Sequence, residues 1–306
     1  MYSREIINEV KAAVVKEAAS MRKLNKELPV SGERFDICLP DRKINIVYYE
    51  AKSSQAPLIL GFHGGGYLFG GNAMNDRMWT TIRDYLDVNI ASIEYRKSPD
   101  HKWKEALEDA FDAAVFFAEN ADKYDFDPNE IWTMGASAGA GLAASMCIMA
   151  KKRRGVSLKK QILMYPYLDL DTDPDRKGEG SLSGPIMYVF KELHCTPEEA
   201  KLPLVSPVFA SLEELEGLPD AIICTADFDN LKYEAFRYAE MLKSADVSVA
   251  AKQINGMTHG FIEYIGGENF PGESDYFDDK TRELIANGKL EKGAFQALAF
   301  IKENLA

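Results

Sequence analysis

The stretch Ile131-Trp132-Thr133-Met134-Gly135-Ala136-Ser137-Ala138-Gly139-Ala140-Gly141-Leu142 decides the fold. Its first four residues form a short apolar run that predicts a strand, and the small residues from Ala138 to about Arg154 predict a buried helix. Between them, Gly135-Ala136-Ser137-Ala138-Gly139 fits G-x-S-x-G, a sharp strand-to-helix turn that exposes a serine hydroxyl. A Cβ at either glycine is expected to collide with the neighbouring strand or helix. The stretch therefore predicts Ser137 as a nucleophile at the end of a strand.

Strand and helix patterns alternate on both sides of this turn. Ser3 to about Leu28 has the apolar spacing of an amphipathic helix, and Arg34–Leu39 with Lys43–Glu50 reads as a hairpin. Further strands are predicted at Leu58–Phe62, Asn89–Glu94, Gln161–Tyr165, Ala221–Thr225 and Val247–Ile254, and further helices at Trp103–Lys123, Leu231–Lys243 and Ala294–Asn304. This order predicts the α/β class: a mostly parallel central sheet with helices on both faces.

Two segments interrupt the alternation, and both are rich in polar or turn-forming residues. They are Pro166–Ala210 and Gly266–Lys289, the second with Phe270, Tyr276 and Phe277 interleaved. Long insertions of this kind within a compact domain are commonly functional. Because α/β folds often reach 306 residues as one unit, we expect a single domain over residues 1–306.

Composition excludes several classes of function. A net charge of −12 disfavours binding to nucleic acid and to anionic membranes. No apolar run approaches the roughly 20 residues of a membrane span, and charges interrupt the first 21 residues, so we expect a cytoplasmic protein without a signal peptide. The cysteines are far apart and are interpreted as small buried thiols rather than metal ligands: Cys38, Cys147, Cys195 and Cys224. The chemistry predicted below requires no metal and no cofactor.

A glycine run follows the predicted strand Leu58–Phe62. In His63-Gly64-Gly65-Gly66, three successive residues expose backbone N–H groups without side chains in the way. Such donors can bind the oxyanion of a tetrahedral intermediate, together with the N–H of the residue after the nucleophile. We therefore predict an oxyanion hole made by Ala138 and two of Gly64, Gly65 and Gly66.

The base and the acid are predicted from chain order. Of four histidines, only His259 follows the last predicted strand, as the order Ser, acid, His of α/β-hydrolases requires. The acid is expected after the strand Ala221–Thr225, where both Asp227 and Asp229 qualify. Spacing does not choose between these two carboxylates.

Several motifs together resemble the hormone-sensitive-lipase family of bacterial esterases. These are His63-Gly64-Gly65-Gly66-Tyr67, Tyr95-Arg96-Lys97-Ser98-Pro99-Asp100-His101, Ser206-Pro207 and Gly256-Met257-Thr258-His259-Gly260-Phe261. The family's acid lies in an Asp-Pro-Leu stretch, which aligns with Asp229-Asn230-Leu231, so the resemblance favours Asp229. The sequence departs from the family pattern at Ala136, Ala140 and Asn230.

The resemblance implies a serine hydrolase whose substrates are small-molecule carboxylic esters with short acyl chains and whose reaction passes through an acyl-enzyme. It also implies cap elements from about residues 1–32 and about 166–210, and a homodimer is compatible with it. Six aromatic side chains either line a small pocket or pack in the core or on the surface, and the sequence leaves both alternatives open: Tyr67, Phe69, Tyr165, Tyr167, Tyr188 and Phe190. Two alternatives stay open, an amidase or peptidase with the same residues, and a ligand receptor on the same fold that lacks turnover.

Overall fold

The computed structural model of the chain describes residues 2–265 and 278–305. Its strands form one eight-stranded sheet in the order β1-β2-β4-β3-β5-β6-β7-β8. Their bounds are β1 (Glu33–Cys38), β2 (Lys43–Tyr49), β3 (Ala56–Phe62), β4 (Asn89–Glu94), β5 (Phe126–Ala136), β6 (Lys160–Met164), β7 (Asp220–Phe228) and β8 (Val249–Thr258). β2 is antiparallel to β1 and β4, whereas all pairs from β4 to β8 are parallel, which confirms the mostly parallel sheet.

The helices lie on both faces of this sheet. Their bounds are α1 (Arg4–Glu27), α2 (Asp76–Leu86), α3 (Trp103–Glu119), α4 (Ala138–Arg153), α5 (Gly184–His194), α6 (Leu212–Leu215), α7 (Lys232–Ser244), α8 (Asp279–Ala286) and α9 (Lys289–Glu303). Buried side chains of α3, α4 and α7 belong to one apolar cluster, and those of α2, α8 and α9 to another. The predicted α/β class is therefore confirmed.

Strand alternation explains why the core has two halves. Along β2, Ile46 and Tyr48 join the cluster of α3, α4 and α7, whereas Val47 and Tyr49 join the cluster of α2, α8 and α9. Successive side chains of a strand point to opposite faces, so a strand covered by helices on both sides is apolar throughout. The continuous apolar runs of the central strands follow from this double burial.

Helix α4 lies directly behind the nucleophile turn because its residues are small. All of its residues from Ala138 to Ala150 are buried. A Cβ on Gly139 would overlap the carbonyl oxygens of Phe62 and His63, so only glycine allows this approach of α4 to β3. The helix ends at Arg153 with three basic residues in its last turn, where cations interact favourably with the helix dipole.

Some sequence predictions need correction or extension. Helix α2 was not predicted, because only Met78, Trp79 and Ile82 of its eleven residues are buried. Helix α5 lies within the insertion Pro166–Ala210, and α8 within Gly266–Lys289. Residues 266–277, with Phe270, Tyr276 and Phe277, lie outside the described residues.

The cysteines also differ in part from expectation. Cys147, Cys195 and Cys224 are buried, but Cys38 is exposed on β1 at the edge of the sheet, so the interpretation as a buried thiol is wrong for Cys38. None of the helices in the described ranges combines the length and apolarity of a membrane span.

Candidate active site

Ser137 stands at the turn between β5 and α4 in a conformation that a non-glycine residue rarely adopts. Its φ is 54° and its ψ is −121°. The turn is fixed from both sides, because Ser137 N–H donates to Met164 O (2.9 Å) and Ser137 O accepts from Tyr167 N–H (3.1 Å). A Cβ on Gly135 would overlap the backbone of Gly139, which explains why the tight turn has glycine at both ends.

A chain of two hydrogen bonds connects the three side chains predicted from chain order and resemblance. His259 Nε2 lies 2.7 Å from Ser137 Oγ, and His259 Nδ1 lies 2.8 Å from Asp229 Oδ2. Because a carboxylate only accepts hydrogen bonds, Nδ1 carries the proton and Nε2 is free to accept from the serine hydroxyl. The structure thus brings together all three side chains in the geometry of a nucleophile, a base and an orienting acid.

The two candidate acids have different surroundings. Asp229 is fully buried, and its second oxygen accepts a hydrogen bond from Leu231 N–H (2.9 Å). Asp227 instead lies beside Gln253 Nε2 (3.3 Å) and Gly256 N–H (3.3 Å), away from the imidazole. Asp227 lies at the end of β7 and Asp229 directly after it, but of these two only Asp229 contacts His259.

The glycine loop after β3 depends on left-handed backbone conformations. Gly65 and Gly66 have φ values of 112° and 60°, and both line the cavity in front of Ser137. A Cβ on Gly65 would lie 2.7 Å from the Phe69 backbone, and one on Gly66 would overlap the Phe190 ring. Ala138 is the first residue of α4, so its N–H has no partner within the helix. Gly65, Gly66 and Ala138 are therefore the candidate donors of this site, since Gly65 and Gly66 line the cavity beside Ser137 and Gly64 is not among its lining residues.

A buried polar network orients this loop from behind. His63 is fully buried, and burial, with Lys97 nearby, lowers its pKa to about 3, so the ring is neutral. Lys97 Nζ lies 3.4 Å from His63 Nε2, which must therefore accept, so Nδ1–H donates to Gly64 O (2.8 Å). Tyr95 stacks on the ring (4.3 Å) and its hydroxyl donates to His63 O (2.8 Å). In a trans peptide the N–H points opposite to the preceding C=O, so holding Gly64 O directs Gly65 N–H to the other side.

The insertion Pro166–Ala210 supports the other side of the site. Ser181 Oγ accepts a hydrogen bond from His259 N–H (2.8 Å), and Ser181 N–H donates to Phe228 O (3.1 Å). Asn230, where the related family has proline, accepts from Leu182 N–H (3.0 Å) and donates to Gly178 O (3.0 Å). No local motif marks Ser181, because it is far from His259 along the chain and meets it only in the folded protein.

A cavity of about 180 Å³ lies in front of Ser137 and His259. Its wall is mostly apolar, with contributions from α1, the glycine loop and α5, including Met21, Phe69, Leu182, Ile186 and Phe190. Of the aromatic candidates, only Phe69 and Phe190 line it. Tyr67, Tyr165 and Tyr167 pack in the core, and Tyr188 hydrogen-bonds Asp173, so the alternative of core or surface packing holds for these four.

One ionisable side chain in this cavity was not predicted, Glu263. It lies one helical turn after His259, in the short 3₁₀ segment Phe261–Tyr264. Burial raises the pKa of its carboxyl to about 7, with a smaller opposing attraction to His259. Near the glycine loop, Arg96 pairs with Asp109 (2.9 Å), and Asp100 pairs with Arg22.

Known proteins match the chain over most of its length. The family model described as alpha/beta hydrolase fold matches residues 59–263. An arylesterase from Saccharolobus solfataricus is 30% identical over 74% of this chain and 75% of that protein, and the carboxylic ester hydrolase LipN from Mycobacterium tuberculosis is 29% identical over 86% and 74%. The solved esterase from Pyrobaculum calidifontis has a TM-score of 0.73 and 29% identity, covering 95% of this chain and 92% of that one. The chain therefore belongs to the α/β-hydrolase fold family, and within it to the hormone-sensitive-lipase-like branch that its motifs indicate.

Proposed function

We propose that this protein is a carboxylic ester hydrolase in which Ser137 attacks the acyl carbonyl, His259 is the base and Asp229 orients it. The observation that carries this proposal is the unbroken hydrogen-bond chain from Ser137 Oγ through His259 to Asp229 Oδ2, facing a cavity beside the glycine loop. The similarity to an arylesterase and to a carboxylic ester hydrolase supports the same reaction class.

The first half-reaction forms an acyl-enzyme. Ser137 Oγ attacks the ester carbonyl while His259 Nε2 takes the hydroxyl proton, and Asp229 stabilises the imidazolium that forms. The carbonyl oxygen becomes negative and accepts hydrogen bonds from the N–H groups of Gly65, Gly66 and Ala138. The imidazolium then returns its proton to the leaving alcohol as the C–O bond breaks.

Water completes the second half-reaction. His259 takes a proton from the attacking water, and the tetrahedral intermediate collapses to release the carboxylic acid and regenerate Ser137. The chemistry requires no metal, and within residues 2–265 and 278–305 no cluster of three or more His, Cys, Asp or Glu side chains is arranged to hold one.

The cavity favours short acyl chains. Its volume of about 180 Å³ is below the roughly 300–1,000 Å³ of pockets that bury drug-sized ligands. Glu17 and Met21 of α1 and Ile186 and Phe190 of α5 line the same cavity, which supports the proposal that the N-terminal helix and the insertion act as a cap. We expect hydrolysis of p-nitrophenyl acetate or butyrate to exceed that of the octanoate, and the reverse order would contradict the short-chain assignment.

The reaction is tested by removal of the nucleophile. Ser137→Ala should abolish p-nitrophenyl acetate hydrolysis and labelling by a fluorophosphonate probe, because the variant lacks the hydroxyl that contacts His259 Nε2. Ser183→Ala, which changes a second serine of the same cavity wall, should keep the label. Turnover near the wild-type rate in Ser137→Ala would end the proposal. A wild-type protein that is not labelled would favour the receptor alternative.

The ester and amide alternatives are separated with matched acyl groups. p-Nitrophenyl butyrate and the p-nitroanilide of butyric acid present the same acyl group to the cavity and differ in the bond that breaks. We expect kcat/KM for the ester to exceed that for the anilide by far. A kcat/KM for the anilide equal to that for the ester would assign the site to amide cleavage.

A further inference from the structure

The Glu263 carboxyl lies between the two halves of the candidate active site. Its Oε1 is 2.8 Å from the point where a Cβ on Gly64 would lie, and that point is 3.5 Å from Ser137 Cβ. Its Oε2 is 3.4 Å from the corresponding point on Gly260, the residue after His259. The carboxyl therefore reaches the glycine loop and the histidine loop at once, on the side where the nucleophile stands.

Three other carboxyl groups with little exposed surface have partners, and the half-buried Glu263 carboxyl differs from them. Glu94 pairs with Lys97, Glu234 with Lys177, and Asp109 with Arg42 and Arg96. Within residues 2–265 and 278–305 the Glu263 carboxyl has no hydrogen bond or ion pair, and its electrostatic interactions are with His259 and with the hydroxyl groups of Tyr95, Tyr165 and Tyr264. Withdrawing a carboxylate from water without a partner is costly, so a fold keeps one where a ligand supplies the partner.

Within the mostly apolar cavity wall, Glu263 is the carboxyl that lies beside both Ser137 and His259, whereas Glu17 belongs to α1 of the proposed cap. The side chain keeps part of its surface exposed, and it lines the cavity with Ser137 and His259. Ser181 Oγ, another polar atom of the wall, already accepts from His259 N–H. Apolar walls with a few placed polar groups are typical of sites that select small ligands by one directed hydrogen bond.

We propose that Glu263 is a specificity-determining residue that accepts a hydrogen bond from a hydroxyl or protonated amine carried by the ester substrate close to its scissile carbonyl. This inference rests on the proposed ester hydrolysis and names its substrate class. A site built to hydrogen-bond a substrate hydroxyl discriminates strongly against the analogue that lacks it, since its own polar group is then left unpaired. The Glu263 carboxylate should also repel ester substrates that carry a carboxylate, in place of the hydroxyl or amine, close to the scissile carbonyl.

Matched ester pairs test this assignment. One pair differs in the acyl part, p-nitrophenyl 3-hydroxybutyrate against p-nitrophenyl butyrate. The other differs in the alcohol part, 2-hydroxypropyl butyrate against propyl butyrate. For each pair the ratio of kcat/KM, hydroxylated over unsubstituted, is measured in wild type, Glu263→Gln and Glu263→Leu. Glu17→Gln, which changes another carboxylate of the same cavity wall, is the matched control.

In wild type we expect a ratio of about 10 to 100 in one of the two pairs, the range of a hydrogen bond to a charged group. Glu263→Leu should reduce that ratio to about 1, Glu263→Gln should give an intermediate value, and Glu17→Gln should keep the wild-type ratio. Ratios near 1 in both wild-type pairs, a ratio that Glu263→Leu does not change, or one that Glu17→Gln removes would overturn the proposal.

Two measurements distinguish a failed role of Glu263 from a misfolded variant and from a failure of the proposed ester hydrolysis. Fluorophosphonate labelling of Ser137 in each variant shows that the site is assembled, so a variant that fails to fold is recognised and the isosteric Glu263→Gln carries the test. If wild type hydrolyses none of the four esters and is not labelled, the proposed ester hydrolysis itself has failed. If wild type hydrolyses both members of each pair equally, only the role of Glu263 has failed.

Discussion

The two sides of Ser137 are held in place by different means. On the oxyanion side, the chain itself makes the site, through left-handed Gly65 and Gly66 and the first N–H of α4. On the side of the base, side chains from distant segments meet, with Asp229, Ser181 and His259 joined by hydrogen bonds of 2.8 Å. Backbone donors need the right conformation of one loop, whereas side-chain partners need three segments to pack together.

Because of this difference, substitutions should impair the two sides in different ways. A Cβ in the glycine loop strains the backbone and collides with neighbours, so the oxyanion side fails by distortion. On the base side, removing one carboxylate oxygen or one hydroxyl leaves the backbone in place but loses the orientation of the imidazole. We expect the loss of kcat to be largest for substitutions on the base side and smaller for those in the glycine loop and in the residues behind it.

The largest effect is expected on the base side. Asp229→Asn should lower kcat by about 10⁴-fold, because the amide favours the wrong imidazole tautomer and carries no charge to stabilise the imidazolium. Asp227→Asn is the control, since Asp227 lies at the end of the same strand but contacts Gln253 and Gly256. Steady-state kinetics with p-nitrophenyl butyrate measures both. A larger loss in Asp227→Asn would mean that the acid is assigned to the wrong residue.

On the oxyanion side, Gly66→Ala should lower kcat by about 10² to 10³-fold, the usual cost of losing one donor. The new Cβ would overlap the Phe190 ring, and a φ of 60° is unfavourable for alanine. Gly217→Ala is the matched control, because Gly217 has a φ of 69° with nothing within 4 Å of its added Cβ. It should lose some stability and keep its kcat. Equal losses of kcat in both variants would show that backbone strain alone, rather than the loop, is responsible.

The support behind the glycine loop should have a smaller effect. Tyr95→Phe removes the hydroxyl that donates to His63 O, so we expect kcat to fall about tenfold or less, which corresponds to one neutral hydrogen bond. Tyr238→Phe is the control, because the Tyr238 hydroxyl is buried and has no hydrogen-bond partner among the described residues. Thermal unfolding accompanies the kinetics. An unchanged kcat in Tyr95→Phe would show that the hydrogen bond from Tyr95 does not help to orient the glycine loop.

The smallest effect is expected in the pH dependence of substrate preference, through Glu263, which lies between the two sides. Burial raises the pKa of Glu263 to about 7, and His259, Tyr95, Tyr165 and Tyr264 are the ionisable groups of the described residues that interact with it. The carboxyl is therefore protonated at pH 6 and ionised at pH 8, where it accepts hydrogen bonds more strongly. The preference for the hydroxylated ester should rise several-fold between these pH values in wild type and stay constant in Glu263→Gln. A parallel rise in both proteins would assign the titration to another group.

The same pKa predicts a direction for stability. A carboxyl whose pKa is higher in the folded than in the unfolded protein stabilises the fold at low pH, and that contribution is lost as the pH rises from about 4.5 to about 7. Glu263→Gln should therefore raise the melting temperature at pH 8 relative to wild type by more than it does at pH 5. Melting curves of both proteins at the two pH values measure the difference.

Much of the site is predictable because its signals are local. The turn around Ser137 needs glycines on both sides of one serine, and the loop after β3 needs consecutive glycines, so both can be recognised in short stretches of sequence. Chain order adds His259, since the last strand of the pattern precedes it. The fold class follows from the alternation of apolar strands and helices, which reflects burial on both faces of the sheet.

Other parts leave little trace in the sequence. Helix α2 buries only Met78, Trp79 and Ile82, so its apolar face is too narrow to stand out. Spacing left Asp227 and Asp229 equivalent, and composition gave no reason to separate the aromatic residues of the core from those of the cavity. In each case the deciding quantity is a contact between segments far apart in the chain.

The α/β architecture, the serine turn and the glycine loop could be inferred from the sequence, because local patterns of residues encode each of them. The histidine could be inferred as well, because it follows the last predicted strand. The family resemblance favoured Asp229 over Asp227, and the tertiary structure shows the contact of Asp229 with His259. Two features come from the tertiary structure alone: Ser181 supports the imidazole, and the carboxyl of Glu263 has no hydrogen-bond partner among the described residues. The physical reason is that hydrogen bonding and burial depend on which distant side chains the packed sheet and helices bring within a few ångströms.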